Sequence, residues 1–154
     1  KLHQKMSEQY PSSLVEVMNA STYIMPLGPI YAFWPLIQVL GTPEQIKKIN
    51  ELMADQRIIG AYAQTEVGHG SDVQSLATTA HYDPQSKSFI LNTPSKSAYK
   101  FWPGALGILA THCVCQAQTF INGKKCGLQT FIVPIRDPKT LKTYLGLDIG
   151  DIGP

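Results

Sequence analysis

The sequence predicts an α+β chain: helices over residues 1–57, then an antiparallel, barrel-like β-domain over residues 58–154. Three observations carry this. Thr42-Pro43-Glu44-Gln45 reads as a helix start, with Thr42 as N-cap, Pro43 in the first turn and Gln45 closing a capping box. Ile46, Ile49, Leu52 and Met53 follow at helical spacing, with Lys47, Lys48 and Glu51 between them, so a surface helix of about three turns is expected to end near Arg57. From Ile58 the period changes to short runs rich in β-branched and aromatic residues. These are Ile58–Thr65, Ser75–Tyr82, Ser88–Leu91, Ser95–Trp102, His112–Ile121 and Gly127–Ile135. Turn clusters bound them at Asp83-Pro84-Gln85-Ser86, Ile121-Asn122-Gly123-Lys124 and Arg136-Asp137-Pro138, and Asn122-Gly123 is a hairpin signal. No helical pattern separates the runs, which argues for an antiparallel barrel or sandwich.

Composition narrows the function classes. At 44% hydrophobic and 16% charged, the 154 residues can bury a core. The net charge is only +2, and Arg57 and Arg136 are the only arginines, so neither a nucleic-acid surface nor an arginine cluster for phosphate is indicated. Residues 17–43 carry no charge, but Pro26, Pro29 and Pro35 interrupt them. They read as two buried helices meeting near Pro26-Leu27-Gly28-Pro29 rather than as a membrane span. Cys113, Cys115 and Cys126 form no CxxC pair. Cys113 and Cys115 stand two apart and face the same way on a strand, which fits buried, reduced thiols and a reducing compartment. His3, His81 and His112 lack metal-ligand spacing, and no metal site is expected. The chain opens on Lys1 and closes on Gly153-Pro154, and both ends read as cut from something longer.

Two stretches carry the chemistry. In Tyr62-Ala63-Gln64-Thr65-Glu66-Val67-Gly68-His69-Gly70-Ser71-Asp72 a strand delivers Thr65 and Glu66 into a loop of glycines and small polar groups. Gly68 and Gly70 would let a flat or anionic ligand approach exposed backbone N–H groups, and His69 could touch it; a tight turn capped by Asp72 accounts for the loop equally well. The loop matches neither GxxxxGK[ST] nor GxGxxG. In Lys100-Phe101-Trp102-Pro103-Gly104-Ala105-Leu106-Gly107 an aromatic pair before Pro-Gly can wall a planar ring, or Trp102 can pack into the core at a strand end. Lys96 and Lys100 lie near these stretches and could meet a phosphate, but read first as a solvated strand face.

Taken together and in order, these stretches resemble the acyl-CoA oxidase family of the acyl-CoA dehydrogenase/oxidase superfamily. So do Thr78-Thr79-Ala80, Phe89-Ile90-Leu91-Asn92-Thr93-Pro94, Phe131-Ile132-Val133-Pro134-Ile135-Arg136 and Gly150-Asp151-Ile152-Gly153-Pro154. The resemblance runs over roughly residues 28–154 and is weaker before that. It implies the end of an amino-terminal helical domain followed by the middle β-domain. It also implies FAD as cofactor, fatty acyl-CoA and O₂ as substrates, trans-2-enoyl-CoA and H₂O₂ as products, a homodimer and a peroxisomal location.

The resemblance also assigns residues. Thr65 contacts the pyrimidine edge of the flavin, Trp102 and Gly104 belong to the cofactor site, and Gly70 with Ser71 lines the path of the acyl-CoA thioester and pantetheine. Superfamily dehydrogenases carry Trp-Ile-Thr where this chain has Trp102-Pro103-Gly104, and their Thr lies near flavin N5. Gly104 leaves space there that could admit O₂, which points to the oxidase branch. The family base is a Glu of a carboxy-terminal helical domain, so no catalytic residue is expected among these residues and Glu66 is not taken as the base. The 154 residues alone are expected to show no turnover and to hold FAD poorly. Two other readings stand beside this one: a non-catalytic flavin- or acyl-CoA-binding module, and an acyl-CoA dehydrogenase that passes electrons to a flavoprotein.

Overall fold

In a computed structural model of the chain the structure describes residues 32–54 and 58–150. Helix α1 spans Trp34–Leu40 and α2 spans Pro43–Ala54. The cap of α2 forms as its residues dictate. Gln45 N–H donates to Thr42 Oγ1 (3.3 Å), and Thr42 N–H donates back to Gln45 Oε1 (2.9 Å), so two amides that lack helical partners are satisfied reciprocally. The helix meeting expected near Pro26–Pro29 and the end of α2 near Arg57 lie outside the described residues. Among the described residues no helix is long and apolar enough to cross a membrane.

Five strands follow: β1 (Gly60–Ala63), β2 (Thr79–Asp83), β3 (Ser88–Asn92), β4 (His112–Ile121) and β5 (Lys124–Pro134). All belong to one sheet, centred on β4, which makes the chain α+β. The expectation of a purely antiparallel barrel is corrected. β1 and β2 both pair with β4 in parallel, at registers Gly60↔His112 and Thr79↔Gln118, while β2–β3 and β4–β5 are antiparallel. A parallel pair needs a long connection, not necessarily a helical one, and here the loops between β1, β2 and β4 supply it. The sheet is open. Phe89 of β3 meets Phe131 of β5 at 5.1 Å between centroids, but no ladder joins those strands.

The Ser95–Trp102 run is not a strand either. It forms a 3-10 turn over Lys96–Ala98 and then a single bridge from Lys100 to Glu66. Pro94 before it and Pro103 after it cannot donate to a ladder, and Trp102 takes φ +51. The β4–β5 hairpin is as its turn residues require, with Asn122 and Gly123 at φ +50 and +75. Further along, a register shift at Thr119/Phe120 leaves Cys126 unpaired, and Gly127 takes φ +82.

The two faces of β1 and β4 divide the core. Toward the helices, Val114 packs with Phe33, Trp34, Ile37, Ile49, Met53 and Ile58, and Tyr62 leans on the cluster. On the opposite face lie Ala61, Ala63, Cys113 and Cys115, with Ala110 and Ile135. Cys113 and Cys115 are therefore buried on one face and unbridged, and burial pushes the Cys113 thiol up to about 12. This small-residue face carries the 101–109 loop.

Candidate functional site

The two stretches singled out in the sequence lie side by side and are joined through their backbones. Phe101 N–H donates to Thr65 O (2.9 Å), Val67 N–H to Tyr99 O (3.0 Å) and Gly68 N–H to Ser97 O (2.8 Å). Glu66 and His69 close a tight turn, exchanging N–H···O bonds of 3.0 and 3.1 Å. The backbone amides of residues 66–69 are thus all used internally, which favours the tight turn over exposed N–H groups for this part of the loop. The small side of Gly68 serves the same joint, because a Cβ there would stand 3.1 Å from Ser97 Cβ. The close approach is by the neighbouring loop.

A buried ion pair locks the joint. The Glu66 side chain is fully buried, and Oε1 lies 3.0 Å from Lys100 Nζ. The carboxylate also accepts from Ala77 N–H (2.7 Å), Thr78 N–H (2.9 Å) and Thr78 Oγ1 (2.5 Å). Lys100 in turn donates to the carbonyls of Gln64 (3.0 Å) and Gln116 (2.8 Å). Lys100 is therefore not on a solvated strand face: it faces inward and ties three chain segments together. Lys96 is exposed. Three of these bonds converge on Glu66 Oε1 and one on Oε2, so the carboxylate anchors the joint.

Burial acts to raise the Glu66 carboxyl. The Thr78 hydroxyl, the N–H groups of Ala77 and Thr78, and Lys100 oppose it and hold the group below the usual carboxylate range. A folded pKa below the unfolded one stabilises the fold above the unfolded pKa, and this contribution is lost as pH falls through the folded value. The stability gap between the wild type and Glu66→Gln should therefore be largest near about pH 7 and shrink toward about pH 3 in urea titrations. A gap independent of pH would contradict the assignment.

Thr65, Trp102 and Gly104 lie at one cavity. Tyr62, Gln64 and Phe101 line it with them, and its volume is about 230 Å³. Tyr62 OH donates to Gln64 Oε1 beside it. Among the described residues nothing takes the Thr65 hydroxyl. Trp102 is 69% exposed and stacks against Phe101 at 5.9 Å, so it offers an aromatic wall rather than filling the core. Gly104 has nothing within 4 Å of a Cβ position, and its φ lies outside the left-handed region. Neither close packing nor backbone conformation requires glycine there. Trp102 and Gly104 also border a second, larger cavity of about 1220 Å³ over the small-residue face, with Cys113, Cys115 and Val133 on its floor. The segment is thus a partition with space on both sides. Gly70 and Ser71 are exposed at the outer end of the first loop and line neither cavity. Among the described residues no group of three or more His, Cys, Asp or Glu is placed to hold a metal ion.

Sequence reasoning missed Lys100 as the partner of Glu66, and it missed Tyr62 and Gln64 as cavity residues. Alternation on β1 could have found Tyr62, since it faces away from Ala61 and Ala63.

No family model matches the chain. Over 138 residues, 89% of this chain, it is 45% identical to the peroxisomal acyl-coenzyme A oxidase 1 of Bos taurus, of which it spans 21%. The crystal structure of acyl-CoA oxidase-1 from Caenorhabditis elegans complexed with FAD and ATP superposes on 99% of this chain, with a TM-score of 0.84 and 42% identity, and is covered to 24%. Acyl-CoA oxidase-2 of the same organism, bound with FAD, ascaroside-CoA and ATP, matches 84% of this chain with a TM-score of 0.79 and 42% identity, and is covered to 20%. Sequence and fold thus agree on one class, the acyl-CoA oxidases. The chain belongs to the acyl-CoA oxidase family. It spans about a fifth of the length of the curated relatives it matches.

Proposed function

We propose that the protein carrying this chain is an FAD-dependent acyl-CoA oxidase, converting fatty acyl-CoA and O₂ to trans-2-enoyl-CoA and H₂O₂ in peroxisomal β-oxidation. Residues 1–57 belong to its amino-terminal helical domain and residues 58–154 to its middle β-domain; the whole enzyme works as a homodimer. The observation that carries this reading is the convergence of Thr65, Trp102 and Gly104 on one cavity in a chain with these relatives.

The residues present fit a flavin. Thr65 brings a hydroxyl that has no other partner among the described residues, Trp102 an exposed ring, and Gly104 clearance. When bound, FAD supplies the redox chemistry. The chain's own residues do the positioning. Thr65 binds the polar edge of the ring, while Trp102 and Gly104 border the side from which substrate and oxygen come. Gly70 and Ser71, at the exposed end of the same loop, meet the thioester and pantetheine of the substrate. The α-proton is taken by a carboxylate elsewhere in the protein; Glu66 is buried, paired with Lys100 and lines neither cavity.

Thr65→Val in the intact protein tests this directly. It keeps the shape and removes the hydroxyl, so FAD should bind more weakly by about 0.5–1.5 kcal/mol. Melting of the apo form should not change. Unchanged FAD affinity would remove Thr65 from the flavin.

Gly104→Thr tests the choice of electron acceptor. The open space at Gly104 accommodates the side chain, so the fold should survive. In rapid mixing, reoxidation by O₂ should slow several-fold while reduction by acyl-CoA changes much less. Equal slowing of both half-reactions would defeat the oxygen-access role.

A further inference from the structure

Arg136 is a buried cation that the proposed chemistry does not use. It is 5% exposed and lines neither cavity. Its Nη1 donates to the carbonyls of Leu106 (2.5 Å) and Ala110 (2.9 Å), and its Nη2 to that of Gly107 (2.7 Å). Among the described residues no carboxylate pairs with it. The charge is met by three carbonyls of a single loop, which the planar fork of the guanidinium engages from two nitrogens held in fixed geometry.

The base of this clamp is rigid. Arg136 follows β5, and its N–H, like that of Ile135, donates to Thr111 O (3.1 and 2.8 Å). Thr111 is itself bonded to Ile59 just ahead of β1. The object of the clamp is the partition. Leu106, whose carbonyl Arg136 holds, donates its N–H to Pro103 O (3.2 Å), between Trp102 and Gly104. Trp102 and Ala105 adopt φ +51 and +65, conformations that non-glycine residues keep only when their surroundings hold them. Three carbonyl contacts from a guanidinium anchored in the sheet supply that constraint.

We infer that Arg136 is a positioning residue for the flavin site: it fixes the 102–110 loop so that Trp102 and Gly104 stand at the correct place beside the cavity. The inference rests on the flavin reading of that cavity given above.

Arg136→Lys in the intact protein is the test, with Ile49→Val in the helix-side core as a control that lowers stability away from the site. Arg136→Lys should raise the dissociation constant for FAD by about tenfold or more, as small misplacements in a preorganised site do. It should also change the visible circular dichroism of bound flavin and the Trp102 fluorescence. Ile49→Val should lower the melting temperature without either spectral change. Unchanged FAD affinity and spectra in Arg136→Lys, or losses that follow melting temperature as in the control, would overturn the inference.

Hydrogen exchange in the unsubstituted protein reads the clamp without requiring a variant to fold or flavin to bind. The amides of Leu106, Leu109 and Ala110 should exchange as slowly as those of β4. Exchange as fast as that of the exposed 145–148 segment would overturn the clamp. A wild type that binds no FAD, with these amides protected, would instead overturn the function proposed above and leave the clamp standing.

Discussion

Lys100→Met should destabilise the protein by about 3–5 kcal/mol, because it leaves a buried carboxylate without its cation. Met keeps most of the length of the side chain, so the loss is electrostatic rather than a cavity. Lys100 is 12% exposed and Glu66 fully buried, so solvent screens the pair little. The substitution also strips the carbonyls of Gln64 and Gln116 of a donor, loosening the segments that carry Thr65 and Trp102. Lys96→Met, at an exposed position of the same loop, should stay within about 0.5 kcal/mol. Adding Glu66→Gln to Lys100→Met should recover part of the loss, since the orphaned charge is removed. Equal urea midpoints for the Lys96 and Lys100 variants would contradict the account.

Gly60→Ala is the second large effect expected. A Cβ at Gly60 would fall 2.1 Å from Phe33 Cγ and 2.2 Å from its Cδ1. Phe33 is completely buried, so its ring cannot swing into solvent. The backbone of β1 cannot retreat either, because its register with β4 is set at Gly60↔His112. Overpacking of this kind costs about 1–3 kcal/mol or more. Phe33→Leu should recover part of the loss in the Gly60→Ala background while being destabilising by itself. Denaturation of the two single variants and the double variant measures this. Additive losses would show that the ring is not the obstacle.

What could be read in the sequence was local. The cap at Thr42, the Asn122-Gly123 turn and the common face of Cys113 and Cys115 depend on neighbours a few residues away, and each forms as read. The assignment of Thr65, Trp102 and Gly104 to one site came from family resemblance; the backbone joint between the 65–68 and 97–101 segments came only from the structure. What failed was long-range. Parallel pairing of β1 and β2 with β4 leaves no mark on the runs themselves, because period 2 is the same in either direction. Lys100 was misread because its partner lies 34 residues away and the strand expected around it does not form. Gly60 and Arg136 were invisible for the same reason. Their meaning depends on Phe33 and on the 106–110 carbonyls, which only the fold brings to them.

The most direct test of the central claim is the flavin spectrum of the intact protein, followed through one anaerobic addition of a fatty acyl-CoA and one admission of air. The account predicts stoichiometric FAD absorbance that bleaches on acyl-CoA, returns on air and releases one equivalent of H₂O₂. It also predicts that the Thr65→Val protein starts with less flavin but completes the same cycle. Absence of bound flavin would contradict the account, and so would a bleached flavin that air cannot restore.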